Sequence, residues 1–463
     1  MKIIIAAVSY DNISGNIGIG KGNNIPWHYP EEMNFFKTIT TNHVVVMGRK
    51  TFESMFNIPL KNRINYVLSS SLDPKKYTHE NLIIVKTISE LNKKLSEYEN
   101  KNPNDPIYII GGERIYSYFI DTCDELYISS INKKFECDVF FPPIPYNFHV
   151  SGVVKFKNYS NIFYKKSNSS IENLSKNPDA IYNNLANEIL INGCERDDRT
   201  KTGTISLFAK SIKFDIKDYC PILSSKKVAW KTCIKELLWF LRGETDNNIL
   251  KNQGVHIWDK NSSREFLNSR LLYDFPEGEI GKTYGWQIRH SGGDFKNKQG
   301  GIDQLKYIEN LLKNDPFSRA IMWNLWIPVD LPQTALYPCH YSFQLYVKLV
   351  NGKKFLSGLV NMRSNDLFLG NPFNVFSYYV LIKILCKKHD MYPDELTLSL
   401  GDVHIYKNHI EQIKEQIARP LRSQPVLCID DSVKYKNWED ITVKDFELIG
   451  YFPDRPIKGD MAV

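Results

Sequence analysis

Six apolar runs, "KIIIAAVS", "HVVVMG", "INYVLSS", "LIIVK", "PIYIIGG" and "ELYISSI", recur between positions 2 and 131, alternating with helix-patterned stretches. Short runs rich in Ile, Val and Tyr, bounded by turn residues, read as strands, and their alternation with helices is the rhythm of an α/β sheet. The series closes with "FHVSGVVKFKNYSNIFYKKS", which reads as a terminal β-hairpin. After it comes "NSSIENLSKNP", rich in Ser and Asn, and then "DAIYNNLANEILINGCE", which has the spacing of an amphipathic helix. The chain is therefore expected to divide near 168–178 into a domain over 1–168, a short linker over 169–178 and a domain over 179–463. No internal repeat of useful period is visible.

Composition narrows the function classes. With 42% hydrophobic and 24% charged residues among 463, this is globular material, long enough for about two to three domains. The opening "MKIIIAAVSYDN" turns polar too soon for a secretory signal, and no stretch approaches the ~20 apolar residues of a membrane helix, so a cytoplasmic protein without a membrane partner is expected. The eight cysteines are scattered without a C-x-x-C pair, which points to neither a disulfide framework nor a metal site. A net charge of +7 without a concentrated basic run gives no dedicated nucleic-acid site, while small anions would suit it.

Several stretches carry chemistry. "VVVMGRKTFES" runs from a strand through Gly48 and Arg49 into a helix expected to begin near Thr51, and "IYIIGGERIYSYF" does the same through Gly111 and Gly112. A glycine at such a turn is usually only geometry, yet two of them offer N–H groups to separated phosphates. "GNIGIGKGN" leads into Pro26 rather than a helix and is expected to be a flexible loop. In "PWHYPEEMNFFKTIT", Glu32 and Phe36 share a helix face with Met33 beside them. Acids are common in a helix's first turn, but a carboxylate among apolar neighbours would have a raised pKa and could bind a heterocycle's N–H edge. In the second half Glu236 lies within "KVAWKTCIKELLWFLRGETDN", where an acid beside Leu237, Leu238, Trp239 and Phe240 must be partnered or used. Cys339 stands between a proline and a histidine in "LYPCHYSFQLYV", just before an alternating strand pattern; taken alone, such a thiol is more often inert than nucleophilic.

Residues 1–168 resemble dihydrofolate reductase, through "IPWHYPEEMNFFK", "VVVMGRKTFES", "PLKNRINYVLSS" and "YIIGGERIY" in order. The resemblance implies a mixed β-sheet with flanking helices and hydride transfer from NADPH to C6 of dihydrofolate. It assigns Glu32 to the pterin ring and to protonation at N5. Trp27, Phe36, Arg63 and Ser129 go to the folate, with Arg63 pairing the carboxylate of the glutamate tail. Ala7, Gly48, Arg49, Lys50, Thr51, Ser69, Gly111 and Gly112 go to the cofactor. Residues 179–463 resemble thymidylate synthase, through "DRTKTGTISLF", "ELLWFL", "PCH", "RSNDLFLGNPFN" and "GDVHIYKNH". That implies an α+β domain with a large sheet and helices, acting on dUMP with 5,10-methylenetetrahydrofolate as cosubstrate. Cys339 would be the nucleophile toward C6 of the pyrimidine, and Glu236 would organise proton transfer. Arg199, Arg319, His340, Arg363, Ser364, Asn374, His404 and Tyr406 would bind dUMP. Trp258, Asn261 and Asp366 would face the folate. Arg319 would come from the other chain of a homodimer.

The second half departs from its family at three places. Arg319 is followed by Ala320 where a second arginine is usual, Asn361-Met362 replaces the usual Tyr-Gln, and Ile327 stands where Asn is usual. Lys260 and Arg242 are the first candidates to replace the missing charge. The main reading is one chain with both activities, the synthase producing the dihydrofolate that the reductase consumes. The alternatives are an active reductase fused to a weakened or inactive synthase acting as a dimerisation scaffold, and an RNA-binding synthase half.

Overall fold

Val44 to Met47 have no exposed surface, as expected of a strand covered by helices on both faces. They belong to a ten-stranded sheet in the computed structural model, which describes residues 1–167, 174–198 and 201–461. Its strands are β1 (Lys2–Tyr10), β2 (Ile17–Gly20), β3 (Val44–Gly48), β4 (Ile64–Leu68), β5 (Leu82–Val85), β6 (Ile107–Gly111), β7 (Glu125–Ile131), β8 (Val139–Phe141), β9 (Phe148–Lys155) and β10 (Tyr159–Lys166). The order is β5-β4-β3-β6-β1-β7-β10-β9, with β2 and β8 attached beside β1. Strands β5 through β7 in that order are parallel, and β10 and β9 add antiparallel. Helices α1 (Pro30–Thr40), α2 (Arg49–Ser54), α3 (Ile88–Lys101) and α4 (Glu113–Phe119) connect them. All six apolar runs form strands, and the expected hairpin is β9–β10.

Two local expectations are corrected. The glycine-rich stretch over 15–23 is not a loop throughout: Ile17–Gly20 is β2, paired with β1 and β8. The turn from Asp11 to Asn16 folds it back onto the sheet, and Gly18 admits no side chain, since a Cβ would stand 2.5 Å from the side chain of Cys137. Pairing with neighbouring β1 on one side and distant β8 on the other, rather than its own composition, makes this segment a strand. The helix after Gly48 begins at Arg49 rather than near Thr51, with Gly48 as its N-cap.

The second sheet has the order β11-β12-β16-β15-β14-β13, formed by β11 (Cys194–Arg196), β12 (Thr204–Asp215), β13 (Met322–Asn324), β14 (His340–Val350), β15 (Lys353–Asp366) and β16 (Tyr392–Tyr406). The helices used below are α5 (Pro178–Asn192), α6 (Trp230–Leu241), α7 (Tyr284–His290) and α8 (Gly370–Lys388). Helix α8 crosses between the parallel pair β15 and β16 and buries residues around most of its circumference, from Val375 to Cys386. It is therefore apolar without a clear stripe. Residues 168–173 of the expected boundary lie outside the described residues; Asn177 caps α5 through the N–H of Ala180.

The end of the chain returns to the first sheet. After β17 (Val426–Ile429) and β18 (Phe446–Ile449), Ile449 and Phe452 pack into the same core as Phe148 and Tyr164. Tyr10 donates its hydroxyl to the carbonyl of Pro453 at 2.9 Å, and Ser423 N–H donates to Ile144 at 2.9 Å.

Candidate active sites

In a sheet with parallel strands, ligands bind beyond the strands' carboxyl ends. Gly48, Ser69 and Gly111 lie at or just beyond those ends of β3, β4 and β6, with Ala7 and Ser129 farther along β1 and β7. Register brings them together: Met47 pairs with Gly111, and Ala7 with Ser129. Thr51 packs on the second glycine turn, where a Cβ added to Gly111 or Gly112 would stand 3.3 or 3.2 Å from its Oγ1. The two turns are thus neighbours, joined through Thr51. Arg49 is tied to Glu53 at 2.7 Å and Lys50 is exposed. Buried Ser69 accepts the N–H groups of Ser71 and Leu72. Two adjacent backbone cradles with nearby cations fit a ligand carrying separated phosphates.

Glu32 is 9% exposed, and burial raises its pKa while the Ser129 hydroxyl beside it opposes that shift. Ser129, fully buried, donates to Asn161 at 2.9 Å. Met33 does not accompany Glu32 inward; it is 54% exposed, one residue further round the helix. Phe36 is half-buried against the core that contains Val45 and Phe52. The indole N–H of Trp27 is buried without a partner among the described residues, while its ring lies 5.5 Å from Phe135. Arg63 is buried and reaches the end of α1 through Lys37 O and Thr41 Oγ1 at 3.3 and 3.2 Å; its Nε has no partner among the described residues. A buried acid together with unspent donors at Trp27 and Arg63 suits a polar heterocycle with an anionic tail.

In the second half, Cys339 lies just before β14, and its N–H donates to the hydroxyl of Tyr284 at 2.8 Å. Arg363 N–H donates to Cys339 O at 2.9 Å, and its guanidinium holds Pro338 O and Tyr337 O, each at 3.0 Å. The turn bearing the thiol is thereby clamped on both sides. His340 shares a hydrogen bond of 2.8 Å with Tyr378 and lies 4.5 Å from the Tyr284 ring; burial pushes its pKa down to about 3, so it is neutral. Phe240 touches Tyr284 and Trp258, and Trp258 donates to Glu236 at 2.7 Å. Burial pushes Glu236 up to about 7 against that hydrogen bond. A continuous layer of rings joins the acid to the cysteine.

Around that layer, Asp366 accepts the N–H groups of Phe368 and Leu369 ahead of α8. Asn374 lies in the first turns of α8, Ser364 is half-buried on β15, and Asn261 is buried near Trp258. His404 and Tyr406 lie edge to face at 5.1 Å on β16. Arg199 lies outside the described residues. Arg319 is exposed at the sheet's edge, where its carbonyl accepts from Gln344. Arg242, a candidate for the missing cation, is half-buried and donates to Ile441 O at 2.6 Å. Met362 is buried and accepts from Asn365, so that departure is absorbed into packing; Ile327 is half-buried ahead of a short 3-10 helix. Sequence reasoning missed Tyr284 and Lys226. Lys226 is buried, donates to Phe368 O at 2.5 Å, and is pushed down to about 7 by burial. Neither carried a local signal, because both matter through contacts far along the chain.

The fold and these two clusters define a chain with an α/β sheet that carries two glycine turns and a buried acid, and a second sheet that carries a clamped cysteine. Residues 3–166 match the family profile of dihydrofolate reductase, and residues 180–463 that of thymidylate synthase. Over nearly its whole length the chain is similar to the bifunctional dihydrofolate reductase-thymidylate synthase of Paramecium tetraurelia (37% identical, covering 97% of each chain). It is also similar to those of Leishmania major (35%, 96% of this chain and 93% of that one) and Zea mays (32%, 97% and 95%). The chain belongs to the bifunctional dihydrofolate reductase-thymidylate synthase family.

Proposed function

We propose that this chain methylates dUMP to dTMP at Cys339 and reduces the dihydrofolate so formed at Glu32. The observation that carries the reading is similarity to bifunctional relatives across both halves, with Cys339 clamped between Tyr284 and Arg363. Addition of the thiolate to C6 of the pyrimidine moves an electron pair to C5, which bonds to the one-carbon unit of methylenetetrahydrofolate. Loss of the C5 proton and hydride transfer from the folate ring then release dTMP, dihydrofolate and the free thiol. Glu236, poised near neutrality, relays protons, with Trp258, Asn261 and Asp366 toward the folate. Arg199, Arg319, Arg363 and Ser364 take the phosphate, Asn374 the uracil edge, and His404 and Tyr406 the ribose, while His340 backs the nucleophile.

In the reductase site, NADPH supplies a hydride when bound; Ala7, Gly48, Arg49, Lys50, Thr51, Ser69, Gly111 and Gly112 would hold it. Glu32 keeps a proton at higher pH than an exposed acid does and assists its delivery to N5 of dihydrofolate. Trp27, Phe36 and Ser129 line the pterin, and Arg63 pairs with the tail carboxylate.

The domains are read as 1–168 and 179–463 with a linker between, in a cytoplasmic homodimer joined through the synthase sheet. No helix among the described residues is long and apolar enough to cross a membrane. Dimerisation is favoured by the outward face of the second sheet, where Met322, Gln344, Tyr346 and Leu359 alternate with the core residues Trp323, Phe343, Leu345 and Val360, leaving Tyr346 66% exposed. Nothing in the thiol's surroundings favours the scaffold reading. Assaying NADPH oxidation with dihydrofolate and dTMP formation on one purified sample tests the proposal, which predicts both; reductase turnover alone would restore the scaffold reading.

A further inference from the structure

The turn Tyr337–Pro338–Cys339 sets where the thiol stands, and its carbonyls are held by one side chain. Arg363 donates through Nη2 to Tyr337 O and through Nε to Pro338 O. The same guanidinium is assigned above to the phosphate, so its hold on the turn is shared with the substrate. A second support, independent of substrate, lies on the other side of Tyr337.

The Tyr337 ring stands edge to face with Trp326 at 6.0 Å, and the guanidinium of Arg270 lies over it at 4.5 Å. Trp326 in turn carries the guanidinium of Arg363 over its ring at 5.6 Å. Each of the two rings thus has one arginine against it. Arg270 closes the short helix Arg264–Ser269: its N–H reaches Phe266 O and Leu267 O, and Leu271 follows at φ 61, which ends the helix. The Arg270 side chain is half-buried and has no carboxylate partner among the described residues, and its buried Nε has no hydrogen bond among them. Withdrawing such a donor from water is costly. The contact that offsets the cost is the face of Tyr337, against which a planar guanidinium packs better than an ammonium does.

We propose that Arg270 is a positioning residue for the nucleophile: packed on Tyr337, it fixes the side-chain side of the cysteine turn while Arg363 holds the carbonyls. Arg270 is not expected to touch dUMP or the folate. It acts through Tyr337 on the aim of the Cys339 thiol toward C6, where a displacement of about 1 Å costs rate. The proposal rests on the assignment of Cys339 as nucleophile made above.

Steady-state dTMP formation by the full-length protein, with dUMP varied at saturating methylenetetrahydrofolate, tests it. Arg270→Ala should lower kcat roughly tenfold, the size of one desolvated cation–ring contact, and keep KM for dUMP within about twofold. A retained KM also shows that the synthase site is folded. Tyr337→Leu should behave in the same way, whereas Tyr337→Phe, which keeps the ring, should stay close to the unaltered protein. Arg270→Lys, which keeps the charge and loses the plane, should recover only part of the rate. Combining Arg270→Ala with Tyr337→Leu should cost no more than either change alone, because both remove the same contact. Reductase turnover should not move in any variant. If Arg270→Ala leaves kcat intact, with or without a raised KM, the residue does not aim the thiol and the proposal falls. If the loss in the double variant is the product of the two single losses, Arg270 does not act through Tyr337 and the proposal falls as well. If Cys339→Ser retains dTMP formation, the assignment of the nucleophile fails first and the proposal falls with it.

Discussion

Glu32 stands in the first turn of α1, over the ends of parallel strands, with the Ser129 hydroxyl beside it. Glu236 stands in the middle of α6, enclosed by rings, with the indole of Trp258 on its carboxylate. Burial raises the pKa of both, but the surroundings differ in kind. The first pocket is shaped by what the backbone leaves open: glycine turns and unspent donors on Trp27 and Arg63. The second is filled in advance by Phe240, Tyr284, His340 and Tyr378, and its polar groups are already engaged with one another. A hydride-transfer site has to admit two flat ligands, whereas a covalent site has to fix a nucleophile before the substrate arrives. One chain supplies every proposed residue of the first pocket. The second leaves Arg319 exposed beside an edge strand, where the proposed homodimer would bring a second chain.

If the two sites are independent, single changes separate them completely. Cys339→Ser should lower dTMP formation by more than about 10³-fold and leave reductase turnover intact. Glu32→Gln should lower reductase turnover by ~10²–10⁴-fold at neutral pH and leave dTMP formation intact. Loss of both activities from either change, in protein that circular dichroism shows to be folded, would break the comparison.

The difference in enclosure should also appear in pH dependence. Glu236 is raised from 4.5 to about 7 in the folded protein. The stability that its protonation contributes is therefore fully present below about 4.5 and lost as pH rises through about 7. Glutamine carries no such penalty. Glu236→Gln should match the unaltered protein in stability near pH 4.5 and exceed it above about pH 8 by roughly 3–4 kcal/mol, at ~1.4 kcal/mol per unit. Synthase turnover should fall ~10²-fold or more. Thermal melting of the synthase transition at the two pH values checks the sign: a variant less stable at high pH would mean that the carboxylate is favourably solvated there.

The second chain's contribution can be isolated by mixing. Cys339→Ser and Arg319→Glu chains should each lack synthase activity, yet co-refolded heterodimers should regain it, because one of their two sites has both residues intact. Verified heterodimers without activity would confine the synthase site, like the reductase site, to a single chain.

Much of the fold was legible because its signals are local. The apolar runs of β1, β3 and β6 and the glycines ending β3 and β6 need no distant partner to be recognised. Segment β2 was not legible, because only β1 and β8 make a strand of Ile17–Gly20. The acids and the cysteine could be singled out by their neighbours in sequence. Tyr284 and Lys226 could not, since each bonds to a residue more than 50 positions away. Nor did anything local show that Ile449 and Phe452 would enter the core of the first half.

The smallest expected effect concerns Ala320, the departure from the family pattern that removes a cation. Ala320 is exposed beside Arg319, and its N–H reaches Ser318 Oγ at 3.3 Å. Of the two candidate substitutes, Arg242 donates to Ile441 O, and Lys260 is exposed in a short 3-10 helix on a different segment. A charge-assisted hydrogen bond contributes ~1.5–3 kcal/mol, or roughly 10- to 150-fold in affinity, and an exposed position belongs at the lower end of that range. Ala320→Arg should therefore lower the KM for dUMP roughly tenfold, with kcat nearly unchanged, because the phosphate is held alike in ground and transition states. The gain should shrink as salt rises, since exposed charges are screened, and reductase kinetics should not move. Saturation curves at low and moderate salt decide it: a KM that stays constant or rises would mean that position 320 does not face the phosphate, or that another cation already fills the gap.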